Sequence, residues 1–156
     1  MWRWGCAVFL LATALVTGTT CNHERSADAS RLLALPPSER PAELKKYPLL
    51  EQVELFLTAM YAEHPRDLGL EEALASNGAP MVPVIVERLK SEAKDESQLY
   101  LIQVLGTMQQ FGYCDVKSQG EVVRTVEDVI STMKPRFVSR AQVALAQIRG
   151  DRSNSK

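Results

Sequence analysis

Apolar residues return every three or four positions through most of the chain beyond Pro48, and turn residues break the pattern into helix-length pieces. Val53, Phe56, Leu57 and Met60 form one stripe of a helix from Pro48 to Glu63, with Pro48 at its first position and His64-Pro65 as its stop. A short helix from Asp67 to Ser76 ends at Asn77-Gly78, a left-handed cap signature. Pro80 opens the next, with Val82, Ile85, Val86 and Leu89 on one side, and a charged turn from Glu92 to Glu96 follows. Asp95 with Gln98 reads as a capping pair for a helix from Glu96 to Gln110. That helix is apolar over most of its circumference (Leu99, Leu101, Ile102, Val104, Leu105, Met108) and is expected to be the most buried. Ser118-Gln119-Gly120-Glu121 reads as a capping box before Val122, Val126, Val129, Ile130 and Met133. Pro135 starts a last helix with Phe137, Ala141, Ala144, Leu145 and Ile148, and Gly150 closes it. No segment alternates with period two between turn signals, so no sheet is expected.

The last four helices form two similar pairs. A shift of 40 residues lays Val82 on Val122, Val86 on Val126, Glu87 on Glu127 and Leu89 on Val129. It also lays Leu101 on Ala141, Val104 on Ala144, Leu105 on Leu145 and Met108 on Ile148. One shift that superposes the stripes of two successive helices is the mark of a repeat array. Ala79 to Leu89, with Pro83 inside its helix, then a charged turn and Leu99 to Met108 with Leu105-Gly106, resembles a HEAT repeat, and Ala141 to Ile148 resembles a second copy. The likeness spans Gly78 to Arg149. Where that family has Asp…Val-Arg at the turn, this chain has Asp95…Leu99-Tyr100, and the second copy lacks the turn Asp. The resemblance implies an all-α fold, a short right-handed α-solenoid of about three stacked helical hairpins, used for binding and without chemistry of its own.

The segment before Pro48 has a different character. Arg3 precedes an uncharged run from Cys6 to Cys21, whose apolar part to Val16 has the length of a signal-peptide core and falls short of a membrane span. Val16-Thr17-Gly18 and Ala27-Asp28-Ala29 both offer small residues to a signal peptidase, and an uncleaved anchor is the other reading. Gly18-Thr19-Thr20-Cys21 followed by polar residues resembles a bacterial lipoprotein signal, which implies lipidation of Cys21. Cys21 and Cys114 are otherwise disulfide candidates in an oxidising compartment, and a lipidated Cys21 excludes that bond. Asn22 to Ser30 is polar without periodicity and reads as a tether, and the prolines at 36, 37, 41 and 48 allow only a short helix from Ser38. The expected organisation is a signal at 1–21, a tether with short helical pieces at 22–47, a helical-repeat domain at 48–150 and a disordered tail at 151–156. Localisation follows as export to a bacterial cell envelope, periplasmic or membrane-anchored.

Composition narrows function without naming it. Lys+Arg is 18 against 19 for Asp+Glu, a balance that lacks the basic excess of a nucleic-acid binder. The only histidines are His23 and His64; His64 has Glu63 beside it and Asp67 three residues on, too few ligands for a metal site. Glu71-Glu72, Asp95-Glu96 and Glu127-Asp128 are adjacent in sequence and diverge on a helix, so they read as solvated faces. Cys114 follows Phe111-Gly112-Tyr113 with no histidine to activate it. No phosphate loop or nucleophile elbow is present. Enzyme activity, metals and cofactors are therefore not expected.

One surface stands out. Arg136, Arg140, Val143 and Gln147 lie opposite the core stripe of the last helix, and the 40-residue shift pairs them with Glu96, Tyr100, Gln103 and Thr107. Tyr100, Gln103, Arg136, Arg140 and Gln147 are the candidates for an interaction face, since Tyr and Arg are enriched at binding hot spots. The leading expectation is a non-catalytic protein that binds another protein through this surface. The alternative is a small-molecule or peptide-binding accessory of a transport or cell-wall system.

Overall fold

The computed structural model describes residues 20–62 and 67–151, with side chains from residue 27 onward. The described residues form eight α-helices and no strand. They are α1 (Thr20–Ala34), α2 (Arg40–Leu44), α3 (Leu49–Ala62), α4 (Leu68–Ala75), α5 (Met81–Ser91), α6 (Asp95–Gln110), α7 (Gly120–Thr132) and α8 (Pro135–Arg149).

Contacts between helices follow a simple rule. Each odd-numbered helix touches the next odd one, each even-numbered helix the next even one, and the members of each consecutive pair from α1·α2 to α7·α8 touch each other. The apolar stripes explain this order. Val53, Phe56, Leu57 and Met60 are all buried, but so are Leu55 and Ala59, because α3 is covered from more than one side. On α5 the expected stripe is buried together with Met81. α6 is, as its circumference predicts, buried nearly throughout. In contrast, α7 buries only Val122, Val126 and Ile130 and leaves its other face to solvent.

Polar links also tie neighbouring helices together. The Arg88 guanidinium on α5 donates to Glu54 of α3 at 2.6 Å and pairs with Glu92 at 2.8 Å. Burial alone lowers an arginine's proton affinity; here the two carboxylates outweigh it and raise Arg88 above its ordinary value. Gln52, buried on α3, donates to the Tyr47 carbonyl at 2.7 Å and accepts from the Asn77 amide at 2.8 Å, which joins the start of α3 to the end of α4.

Helix ends agree with the sequence in part. Gly78 and Gly150 take the left-handed conformation expected of them, with φ of 68° and 75°. At Gly78 a side chain is doubly excluded, because a Cβ would stand 2.9 Å from the Tyr113 carbonyl oxygen. Both side-chain caps expected elsewhere fail to form. Ser118 donates to the Asp115 carbonyl, and α7 starts after Gln119 without a side-chain cap. Asp95 is already helical; its carboxylate accepts the Lys134 amide from the α7–α8 turn, while Gln98 donates to the Glu92 carbonyl. In each case a nearby backbone group outcompetes the local cap.

The largest departure lies before Pro48. The stretch read as a tether is helical as far as Ala34, and Ala29 and Leu32 are buried. Its apolar residues that pack on the core, Ala29, Leu32 and Leu33, occupy little more than one turn, too short a stripe to register as periodic. α1 rests on α3 and α2, so a fourth pair precedes the three expected. The short helix placed from Ser38 is α2, which begins at Arg40.

Candidate interaction face

α6 and α8 lie side by side and run in the same direction. At their N-terminal ends the Lys134 amide donates to the Asp95 carboxylate at 3.1 Å. Farther along, Gly106 of α6 faces Ala144 and Gln147 of α8: a Cβ on Gly106 would lie 2.9 Å from Gln147 Oε1 and 3.3 Å from the Ala144 carbonyl oxygen. Both contacts join residues about 40 apart, the shift that superposes the two sequence copies. The glycine of Leu105-Gly106 is thus the residue that lets the two helices approach.

Along α8, Phe137, Ala141, Ala144, Leu145 and Ile148 point into the core. Arg136 and Arg140 are exposed, Val143 is 56% exposed, and Gln147 is half-buried against Gly106. Gln103 is half-buried on α6. Helical spacing sets Arg136, Arg140, Val143 and Gln147 in one stripe along α8, and Gln147 meets α6 at Gly106.

Tyr100 does not belong to this surface. It is 2% exposed, packs edge-to-face on Tyr61 with ring centroids 6.1 Å apart, and donates to Glu96 at 2.7 Å. The 40-residue shift pairs it with exposed Arg140, but α8 has no helix after it in the described chain, whereas α6 is covered by α4 as well as α8. Thr107, its companion on the shifted stripe, is likewise engaged, donating to Glu71 of α4 at 2.6 Å.

Sequence reading missed the end of this face. A cavity of about 320 Å³ opens where α3 ends and where α6 and α8 begin. Tyr61, Lys94, Asp95, Glu96, Lys134, Arg136 and Phe137 line it together with Ala93. The Lys94 ammonium sits 5.1 Å from the Tyr61 ring centre and the Arg136 guanidinium 4.6 Å from that of Phe137. Neither Lys94 nor Lys134 belongs to an apolar stripe, and turn residues carry no periodic signal that would have singled them out.

A second cavity, about 400 Å³, lies between α2 and α4 and is lined by Pro41, Ala42, Lys45, Gly69, Glu72, Ala73, Ser76 and Tyr113. At its edge the Tyr113 hydroxyl donates to Glu72 at 3.0 Å, and this bond raises the phenol's pKa above its ordinary value. Asp67, which stood near His64 in sequence, caps α4 through the Gly69 amide and pairs with Arg40. His64 lies outside the described residues, as do the side chains of His23 and Cys21 and all of Cys6. Cys114 is a half-buried free thiol whose sulfur accepts from Gln119 at 3.4 Å. Among the described residues no three His, Cys, Asp or Glu side chains gather as a metal site, and no helix is long and apolar enough to cross a membrane.

Comparison of the chain with family models, curated proteins and solved structures finds no match.

Proposed function

We propose that this chain is a non-catalytic, exported envelope protein that binds another protein through a helical-repeat surface, and that the surface is the face of α6 and α8. The observation that carries the reading is the exposed stripe of Arg136, Arg140 and Val143 beside parallel α6. In support, the odd-on-odd and even-on-even contact order is that of stacked helical hairpins, in keeping with a HEAT-like α-solenoid. Such stacks present the outer sides of one helix layer as an extended binding surface. The residues fit a protein partner: arginines that bond in several directions around an exposed apolar side chain.

Export rests on the apolar run from Cys6 to Val16 and, in one form, on lipidation of Cys21. The mass of the mature protein from native membranes tests this: a diacylglyceryl Cys21 at the N-terminus supports the anchored form. A Cys21–Cys114 disulfide in that protein contradicts it, since one sulfur cannot carry both. The binding reading is tested by crosslinking in native membranes followed by mass spectrometry. Capture of a specific partner, reduced by alanine at Arg136 and Arg140, supports it; no specific partner refutes it.

The cavity between α2 and α4 favours a second reading, a small-molecule or peptide-binding accessory, because Pro41, Ala42 and Ala73 give it apolar walls beside Lys45 and Glu72. Native mass spectrometry of the purified protein tests it through a retained ligand lost on Ala73→Trp.

A further inference from the structure

The cavity at the start of α6 and α8 has an unusual balance of charge. Lys94, Lys134 and Arg136 line it, and Arg140 stands one turn farther along the same side of α8. None of the four makes an ion pair among the described residues, whereas Arg40, Lys46, Arg88, Lys90 and Arg149 are each paired with a carboxylate. The two acids in the cavity are already engaged. Asp95 accepts the Lys134 amide and Glu96 accepts the Tyr100 hydroxyl. Among the described residues, three cations thus line the cavity beside two carboxylates that are held by other donors, with Arg140 next to it.

We infer that this cavity and the adjoining arginine turn receive an acidic segment of the partner protein, with carboxylates entering between Lys94, Lys134 and Arg136 and reaching Arg140. This rests on the protein-binding reading above and specifies the partner's chemistry. Charge complementarity selects the occupant: the surplus is positive and local, in a chain whose net charge is −1. The shape selects a peptide over a lipid surface, because a recess of about 320 Å³ admits side chains that a flat headgroup layer does not send inward. Arg136 and Arg140, one turn apart, offer planar donor forks to successive carboxylates. Tyr61 and Phe137, beneath Lys94 and Arg136, hold those cations at the rim.

The test uses the full chain and a fluorescein-labelled decaglutamate peptide, read by fluorescence anisotropy, with a decaglutamine peptide as the neutral control. Binding to decaglutamate alone, weakening as salt rises, is expected. The pair Arg136→Ala/Arg140→Ala should weaken it about tenfold or more. The pair Lys117→Ala/Arg124→Ala removes the same charge elsewhere and should leave it within about twofold, with helicity by circular dichroism unchanged in both. Equal losses in the two pairs overturn the inference, as does equal binding of the neutral peptide. Binding to phosphatidylglycerol vesicles that depends on Arg136 and Arg140, without peptide binding, also overturns it, in favour of a lipid surface. In native membranes, a partner captured undiminished by the Arg136→Ala/Arg140→Ala protein refutes this inference and the face assigned to binding, and leaves protein binding itself standing. Absence of any captured partner refutes that reading itself.

Discussion

Arg40 of α2 and Asp67 at the start of α4 form a buried ion pair at 3.2 Å, their side chains only 7% and 10% exposed. The same guanidinium donates to the Leu33 carbonyl in the last turn of α1 and to the Leu35 carbonyl just past it, and the same carboxylate caps α4 through Gly69. One contact therefore closes the ends of two helices and pins α2 between them. Removing one partner of such a pair leaves the other charge buried and deprived of its carboxylate or guanidinium contact. Asp67→Ala is expected to cost about 3–5 kcal/mol in urea unfolding. Asp67→Asn, which can still cap α4, should cost less. Equal and small losses in both would show that the pair does not hold the α1–α2 end in place.

Gly106 sets the distance between α6 and α8. Alanine normally gains about 1 kcal/mol over glycine inside a helix. Here the added methyl meets the Gln147 side chain and, at 3.3 Å, the fixed Ala144 carbonyl. Gly106→Ala should therefore lower the melting temperature, and Gly106→Val should lower it further. Combining Gly106→Ala with Gln147→Ala should recover part of the loss, since only the flexible half of the clash is then relieved. A Gly106→Ala protein more stable than the parent contradicts the close approach.

Gln52 and Asn77 link the start of α3 to the end of α4 through a 2.8 Å bond, and Gln52 is 2% exposed. Gln52→Leu keeps the volume but leaves the Tyr47 carbonyl without this donor and Asn77 without this acceptor. The expected cost is about 1–3 kcal/mol, measured by chemical denaturation. An unchanged unfolding midpoint would mean that water replaces the lost bonds at no cost.

The Tyr113 phenol, held by Glu72, should release its proton above the ordinary 10.0. The folded state binds this proton more tightly than the unfolded chain. The stabilisation is therefore fully present below the unfolded pKa and is lost as pH rises through the higher folded value. Absorbance at the phenolate band checks it: Tyr113→Phe should delete a tyrosine that ionises late, and Glu72→Gln should move that ionisation earlier. If Tyr113→Phe removes signal at the ordinary tyrosine pKa, the bond is absent in solution.

Much of this fold is legible before any coordinates. The stripes of α3, α5, α6, α7 and α8 are buried where periodicity puts them, Val129 of α7 excepted, because each helix is long enough for its apolar side to recur several times. α1 is not legible, since its buried residues Ala29 and Leu32 fill a single turn. The caps at Asp95 and Ser118 are misread for another reason: a different backbone group takes the side chain, the Lys134 amide brought in by folding for Asp95 and the nearby Asp115 carbonyl for Ser118. Of the candidate face, Arg136 and Arg140 are exposed and Gln103 and Gln147 half-buried, and Gln147 packs against Gly106. Tyr100 is turned inward, because the 40-residue shift equates two helices that differ in their number of neighbours. Lys94 and Lys134 come to the cavity only through the approach of two turns far apart in sequence.

Zero-length carbodiimide crosslinking in native membranes, read by mass spectrometry, tests the central claim most directly, because it joins lysines to carboxylates in contact. The account predicts links from Lys94 or Lys134 to Asp or Glu residues of one partner protein, strongly reduced in the Arg136→Ala/Arg140→Ala variant. Absence of any specific partner would contradict protein binding. A partner joined only through lysines remote from α6 and α8, and unaffected by the two arginines, would contradict the face assigned to it.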